Sequence, residues 1–269
     1  MTRPDWGAIR AVMAKDLLAV RRSKAVVLPM LFVPVLLLVV LPLVIGLAAR
    51  GQEADLTRFL DALPADLAAP IISLPPDEQL VVLVLGYLLA PLFLIVPLMV
   101  SAVLAADAFA GEKERRTLEA LLHLPMSNRD LFIAKLLGAY VPAVAVSWIG
   151  FVCFAIVSNS VAWSVMERVF VPTRLWLVVI FWVAPAVAAL GLGVMVRVSV
   201  RARTAQEANQ LGGAVVLPLI FLAVGQSTGL LLVDLPVAMA IGAVLWLVAA
   251  WLTARGARRF TRDELATRV

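Results

Sequence analysis

Six long apolar runs constrain this 269-residue chain more than any other feature. A helix that crosses the hydrocarbon core of a bilayer needs about 20 consecutive, mostly apolar residues. An ionised side chain at the centre of such a helix costs about 2.5–3.5 kcal/mol on insertion scales, and the central stretches of these runs contain no Asp, Glu, Lys, Arg or His. The runs cover 25–49, 80–106, 133–158, 175–198, 211–232 and 236–254. They predict an all-α polytopic membrane protein with six transmembrane helices.

The composition excludes the main alternatives. The chain is 63% hydrophobic and 15% charged, whereas a soluble domain averages about 45–50% apolar and about 25% charged residues. A chain this apolar is not intrinsically disordered. A disulfide scaffold is excluded because Cys153 is the single cysteine, and we expect it to be packed among apolar side chains.

The basic residues indicate how the chain is oriented. Nineteen of the 23 Lys and Arg residues fall in one alternate set of connecting segments, and four fall in the other. The basic set comprises 1–24, 107–135, 197–210 and 255–269, and the other set comprises 50–78, 159–174 and 225–236. Basic loops stay on the cytoplasmic side, so both termini are predicted to be cytoplasmic, in a cell inner or plasma membrane. The asymmetry explains the net charge of +5 without a nucleic-acid partner and suits anionic lipid head groups.

Three regions follow from this layout. Residues 1–24 form a cytoplasmic interfacial helix, and residues 25–254 form the six-span domain, with a short outer segment at 50–78. Residues 255–269 form a basic cytoplasmic tail. The first apolar run is about as long as a full span and has no obvious cleavage site, so we expect it to remain as an uncleaved helix.

The N-terminal helix is predicted to lie at the membrane surface. Its apolar stripe at helical spacing contains Trp6, Ile9, Met13, Leu17 and Val20. Lys15 and Arg22 lie opposite that stripe. A tryptophan-bearing apolar stripe flanked by basic residues favours the head-group boundary. The alternative is an ordinary cytoplasmic helix packed on the bundle.

The loop at 107–135 carries the most information about function. Gly111 is predicted to end the second span, and residues 112–123 then form an amphipathic helix that Pro125 ends. Its charged face contains Glu112, Arg115, Arg116, Glu119 and His123, and its apolar face contains Leu118, Leu121 and Leu122. Ser127 and Asp130 form a capping pattern for the next helix. Such a loop helix is either solvated without a partner or docked in a partner's groove.

These residues resemble a known family. The sequence GEKERRTLE at 111–119, followed by Leu121, Leu122, Pro125 and the re-entry at 127–135, resembles the first cytoplasmic loop of type-2 (ABC-2) ABC exporter permeases. The sequence TAQEANQ at 204–210, running into LGG, resembles that family's loop before span five. The six-span layout with an N-terminal interfacial helix is also similar.

The resemblance implies a transport mechanism. Two permease subunits, identical or different, form the translocation path, and two separate ATPase subunits bind below and carry ATP and Mg²⁺. The first cytoplasmic helix is then a coupling helix that sits in a cleft of the ATPase, and the N-terminal helix is the family's elbow helix. The coupling role carries over to Glu112, Glu114, Arg115, Arg116, Thr117, Leu118 and Glu119. The family's outer re-entrant helices between spans five and six have little room at 226–235.

The residues agree with a non-enzymatic subunit. The sequence has no phosphate-binding loop of its own, no readable catalytic site, and one histidine, His123, which leaves no basis for a metal cluster. Trp163, Trp176 and Trp251 lie at span ends, where aromatic belts form. An ion-coupled secondary carrier and a non-transporting membrane scaffold remain as alternatives, although the absence of charges in the spans disfavours the carrier. The sequence does not identify the substrate path.

Overall fold

The computed structural model describes residues 4–49, 60, 65–114, 126–202, 204–227 and 233–259, and every regular element in these ranges is helical. An N-terminal helix, α1, covers Trp6–Arg22. Six helices are long and apolar enough to cross a membrane, and we call them spans one to six. They cover Val26–Ala48, Glu78–Gly111, Asn128–Met166, Arg174–Ser199, Ala205–Gly225 and Leu235–Ala257. The predicted all-α, six-span architecture is confirmed.

Spans two and four form the centre of the bundle. In each of them, 61% of the apolar window is buried inside the protein, against 11% to 28% in the other four spans. The remaining spans therefore expose apolar side chains along most of their length. This distribution is typical of a membrane protein, in which outer helices present apolar surface to lipid or to another subunit.

Helix α1 is capped at its start and packs on span three. The Asp5 side chain accepts hydrogen bonds from the backbone N–H groups of Gly7 and Ala8, which satisfies two of the free donors at a helix N-terminus. Ile9 and Val12 pack with Leu131 and Ala134 of span three. At its other end, α1 stops before Ser23, whose backbone is extended, and span one follows.

Span five begins earlier in the sequence than predicted, because Thr204 caps its first turn. Thr204 Oγ1 accepts the backbone N–H of Glu207 at 3.0 Å, so a helix begins at Ala205 and not at residue 211. The predicted loop at 197–210 is therefore mostly helical. Hydropathy alone misplaced this boundary because the first turns of the helix carry Gln206, Glu207 and other polar residues. Farther along, span five tightens into a 3₁₀ turn at Gly213–Val216.

Wide π-helical turns interrupt several spans. They occur at Leu36–Val40, Val82–Leu88, Asp107–Gly111 and Val179–Val183. In such a turn each N–H reaches the carbonyl five residues back instead of four. The third one carries span two through Gly111 into the turn Glu112–Glu114. Span two ends at Gly111, as predicted, but the helix does not break there, since a wider turn lets it continue into Glu112–Glu114.

The structure corrects the predictions made for Trp176 and Cys153. Trp176 is fully buried and packs against Phe93, Phe151 and Phe154, with ring centroids 4.6–5.5 Å away. Its indole N–H donates to the carbonyl of Leu85 at 3.1 Å. Trp176 is therefore not part of a surface belt, whereas Trp163 and Trp251 are exposed.

Cys153 was expected to be packed among apolar side chains. It is exposed instead, because it lies on the outer side of span three.

Contacts assign several segments to the same end of the bundle. There, α1 contacts Glu112 at the end of span two, Glu114 contacts Ala205 at the start of span five, and Gly256 of span six approaches Phe132 of span three. We call this the α1 end. At the opposite end, Glu78 at the start of span two pairs with Arg168, just after span three.

The outer segment packs on the opposite end. Helix α2 covers Ala65–Ile72, and its Ala68 and Ile71 form a small apolar cluster with Leu60 and Leu83. Span two follows after Pro75 and begins at Glu78. The other residues of the segment at 50–64 lie outside the described residues.

Candidate functional site

A buried carboxylate lies where span two ends and the predicted coupling helix begins. Glu112 is only 3% exposed. Its Oε2 accepts a hydrogen bond from Lys135 Nζ, and its Oε1 accepts one from Lys15 Nζ at 2.7 Å. We call these three residues the Glu112 cluster. The cluster joins α1, span two and span three at one point.

Lys135 connects the cluster to the backbone of span two. It lies on span three, two turns after the Ser127 cap, and is 1% exposed. Its Nζ donates to the carbonyl of Ala108 at 2.7 Å and lies 5.7 Å from the centroid of the Phe109 ring. Ala108 and Phe109 both belong to the π-helical turn Asp107–Gly111, which leaves carbonyls available for such a side chain.

The charges in the cluster depend on one another. Moving an ion out of water costs several kcal/mol, and an ion pair repays this only with good geometry and further hydrogen bonds. Lys135 meets both conditions through Glu112 and Ala108. Lys15 is 49% exposed and also pairs with Asp16 at 3.0 Å. Burial lowers the pKa of Lys15, but the hydrogen bonds and charges of Glu112 and Asp16 outweigh that effect, so its pKa is raised above 10.5.

Glu114 makes a separate contact to span five. Its carboxylate accepts the backbone N–H of Ala205 at 3.1 Å, and Ala205 is the first residue of that helix. A negative charge at this position is favourable because the N-terminus of a helix carries a partial positive charge. Within three residues, the chain leaving span two is thus bonded to α1, span three and span five.

The structure places the predicted coupling residues in different environments. Glu112 is buried in the bundle and Glu114 is exposed. The described residues do not include Arg115, Arg116, Thr117, Leu118 and Glu119, nor the rest of the predicted 112–123 helix beyond Glu114. Their contact with a partner's groove stays a prediction.

The predicted interfacial stripe is divided between two surfaces. Ile9 is fully buried against span three and Met13 is partly buried there. Trp6 and Leu17 are 56% and 43% exposed. Helix α1 is therefore packed on the bundle along one edge of the stripe and presents apolar side chains to its surroundings along the other edge. The packing on span three is therefore observed, and a position of Trp6 and Leu17 at the membrane surface stays a prediction.

Sequence reasoning missed the two lysines of the cluster. Lys135 lies inside the predicted third span, where a cation needs a partner. Its position in the sequence could therefore have predicted a buried polar contact. Lys15 carried no such signal, because it lies among polar residues on the far side of the predicted stripe. Within the described ranges, no three His, Cys, Asp or Glu side chains come together as a metal-binding group.

Comparison with known proteins shows the family of the chain. The family model described as "ABC-2 family transporter protein" matches residues 10–234, which include most of α1, the Glu112 cluster and the first five spans. No curated protein matches the chain. Membrane subunits of this family work with an ATP-binding subunit. The chain belongs to the ABC-2 transporter family, as a multi-pass membrane permease subunit.

Proposed function

We propose that this chain is the permease subunit of an ATP-driven exporter. Two permease subunits, identical or different, form the translocation path, and two separate ATPase subunits dock on the coupling helix that follows Glu112. ATP and Mg²⁺ are bound by those ATPase subunits, and this chain supplies no catalytic residue. Both termini and the α1 end lie in the cytoplasm, which the distribution of Lys and Arg supports.

The observation that carries the proposal is the bonding of residues Glu112–Glu114 to three different helices. A coupling helix transmits motion only if its base is firmly connected to the membrane helices. Glu112 provides that connection to α1 and span three, and Glu114 provides it to span five. In this arrangement Glu112 acts from inside the bundle as an anchor, while residues at 114–119 meet the ATPase.

The test uses the complex of the chain with the ATP-binding subunit that co-purifies with it. Leu118→Asp places a charge on the apolar face of the coupling helix, and Glu114→Arg with Arg115→Glu reverses two charges. We expect both variants to insert normally, but to lose the change in ATPase rate that the membrane subunit causes. Arg129→Asp is the matched control, because Arg129 is exposed at the start of span three, outside the coupling segment.

Normal ATPase binding and normal rates in both variants would refute the coupling assignment. Cargo movement by the purified chain on an ion gradient, with no ATPase present, would instead support a secondary carrier. Binding of an active ATPase without any flux would support a scaffold.

A further inference from the structure

Two arginines from different spans lie over the same tryptophan ring at the α1 end. The guanidinium carbon of Arg255, on span six, is 4.0 Å from the centroid of the Trp251 ring. The guanidinium carbon of Arg197, on span four, is 5.0 Å from the same centroid. Trp251 is itself 48% exposed. We call Arg197, Trp251 and Arg255 the Trp251 site.

The positive charges of this site have no acidic partner among the residues that the structure describes. In the described part of the chain, neither Arg197 nor Arg255 forms an ion pair with a carboxylate. The Trp251 ring attracts both cations through its quadrupole but carries no net charge. Further basic residues follow at Arg258 and Arg259 in the sequence. Two cations gathered around one ring favour the binding of an anion next to it.

The surface next to the site is apolar. Val244, Leu247 and Val248 precede Trp251 at helical spacing, so the same stripe of span six carries them. All three are exposed, Leu247 by 72%. Span six is long and apolar enough to cross the membrane, so we expect this stripe at the depth of the lipid tails and Trp251 near the head groups, where tryptophan is enriched.

We propose that the Trp251 site binds the phosphate of an anionic phospholipid, with the acyl chains lying along Val244, Leu247 and Val248. The guanidinium groups of Arg197 and Arg255 donate to the phosphate oxygens, an arrangement that arginine supports well through its fixed fork of donors. The bound lipid bridges spans four and six. This inference does not depend on the proposed export function, since it concerns the chain and the membrane alone.

An anionic lipid fits the observations better than an acidic patch of the ATPase. The charged and apolar parts of the surface form one continuous stripe on one helix, as a lipid requires. A docking protein would need polar surface beyond the span end, and it would leave Val244 and Leu247 unused. Juxtamembrane clusters of basic residues are also the usual means of attracting anionic lipids.

The experiment measures lipid binding to the full purified chain by native mass spectrometry, without any ATPase. The probes are phosphatidylglycerol, phosphatidylcholine and inorganic phosphate. We expect the wild-type chain to retain phosphatidylglycerol in preference to phosphatidylcholine. We expect Arg255→Gln to weaken the binding of phosphatidylglycerol by about fivefold. The double variant Arg197→Gln, Arg255→Gln should weaken it by a further factor of about five. Arg129→Gln is the matched control, because it removes an exposed arginine elsewhere at the α1 end.

Several results would overturn the proposal. They are equal retention of both lipids, unchanged phosphatidylglycerol binding in Arg255→Gln, and an equal loss in Arg129→Gln. Binding of inorganic phosphate as tight as that of the lipid would identify a site for free anions. Unchanged lipid binding by Arg255→Gln, together with loss of the ATP-binding subunit in a separate co-purification of that variant, would identify a protein-docking surface. Should the double variant fail to fold, Arg255→Gln decides the question, because Arg255 is exposed, and Arg255→Lys should restore part of the binding.

Discussion

Lys135 binds the carboxylate of Glu112 and the carbonyl of Ala108 at the same time. One ammonium group of span three therefore holds both the last π-helical turn of span two and the residue that follows it. Both side chains are nearly inaccessible to water. The consequences of this arrangement for stability can be measured directly.

Removing Lys135 alone should be costly. Lys135→Met removes a buried charged partner of the Glu112 carboxylate, and loss of one member of a buried pair costs about 3–5 kcal/mol. We expect the low end of that range, because Lys15 remains. Thermal unfolding in detergent provides the measurement. The double variant Glu112→Gln, Lys135→Met should regain most of the loss, and a single variant as stable as wild type would show that the pair is not buried as described.

Lys15 should contribute less, and its contribution should have a defined pH dependence. Exposed ion pairs contribute about 0–1 kcal/mol, and Lys15 is half exposed. Its pKa is raised above 10.5, so its stabilising effect is fully present below that value and is lost as the pH rises through the raised pKa. The stability difference between wild type and Lys15→Met should stay constant from neutral pH up to 10.5 and shrink above it. A difference that changes near neutral pH would contradict this.

The contact between spans two and four should not tolerate a methyl group at Gly191. A Cβ there would lie 2.6 Å from Ser101 Oγ, 2.8 Å from Leu98 Cδ1 and 3.1 Å from the Leu98 carbonyl. The Ser101 hydroxyl already donates to that carbonyl, so Gly191→Ala should cost about 1–3 kcal/mol through overpacking. Gly213→Ala is the control, since nothing lies within 4 Å of its Cβ position. Equal unfolding temperatures for the two variants would refute the close packing.

Trp176 should matter more for stability than the exposed tryptophans. Trp176→Ala removes the centre of the aromatic cluster and should cost about 3–5 kcal/mol. Trp176→Phe keeps a ring but leaves the Leu85 carbonyl without its indole donor, so we expect a smaller loss. Trp163→Ala, at a residue 55% exposed, should change the unfolding temperature little. A comparable loss in Trp163→Ala would count against a buried role specific to Trp176.

The sequence predicted the architecture well and the buried polar contacts poorly. Hydropathy finds six spans because the cost of a charge in the membrane applies to every residue of a helix. The partners of Glu112 depend on how α1 and span three pack, and the residues next to it in the sequence do not record that packing. Arg115, Arg116 and Glu119 share its helical face in the sequence, so the pattern assigned Glu112 to the charged face of a loop helix. Trp176 was misplaced for the same reason, because its position near a span end says nothing about burial.

Spans two and three are tied to each other at both ends of the bundle, through Glu78 and Arg168 on one side and through Glu112 and Lys135 on the other. If these two helices slid past each other or moved apart, at least one of the two ion pairs would have to break. The two helices are therefore expected to travel as one rigid body during any working cycle. We therefore expect rearrangement in segments that flank these two spans, such as the extended Ser23 before span one and the 3₁₀ turn Gly213–Val216 in span five.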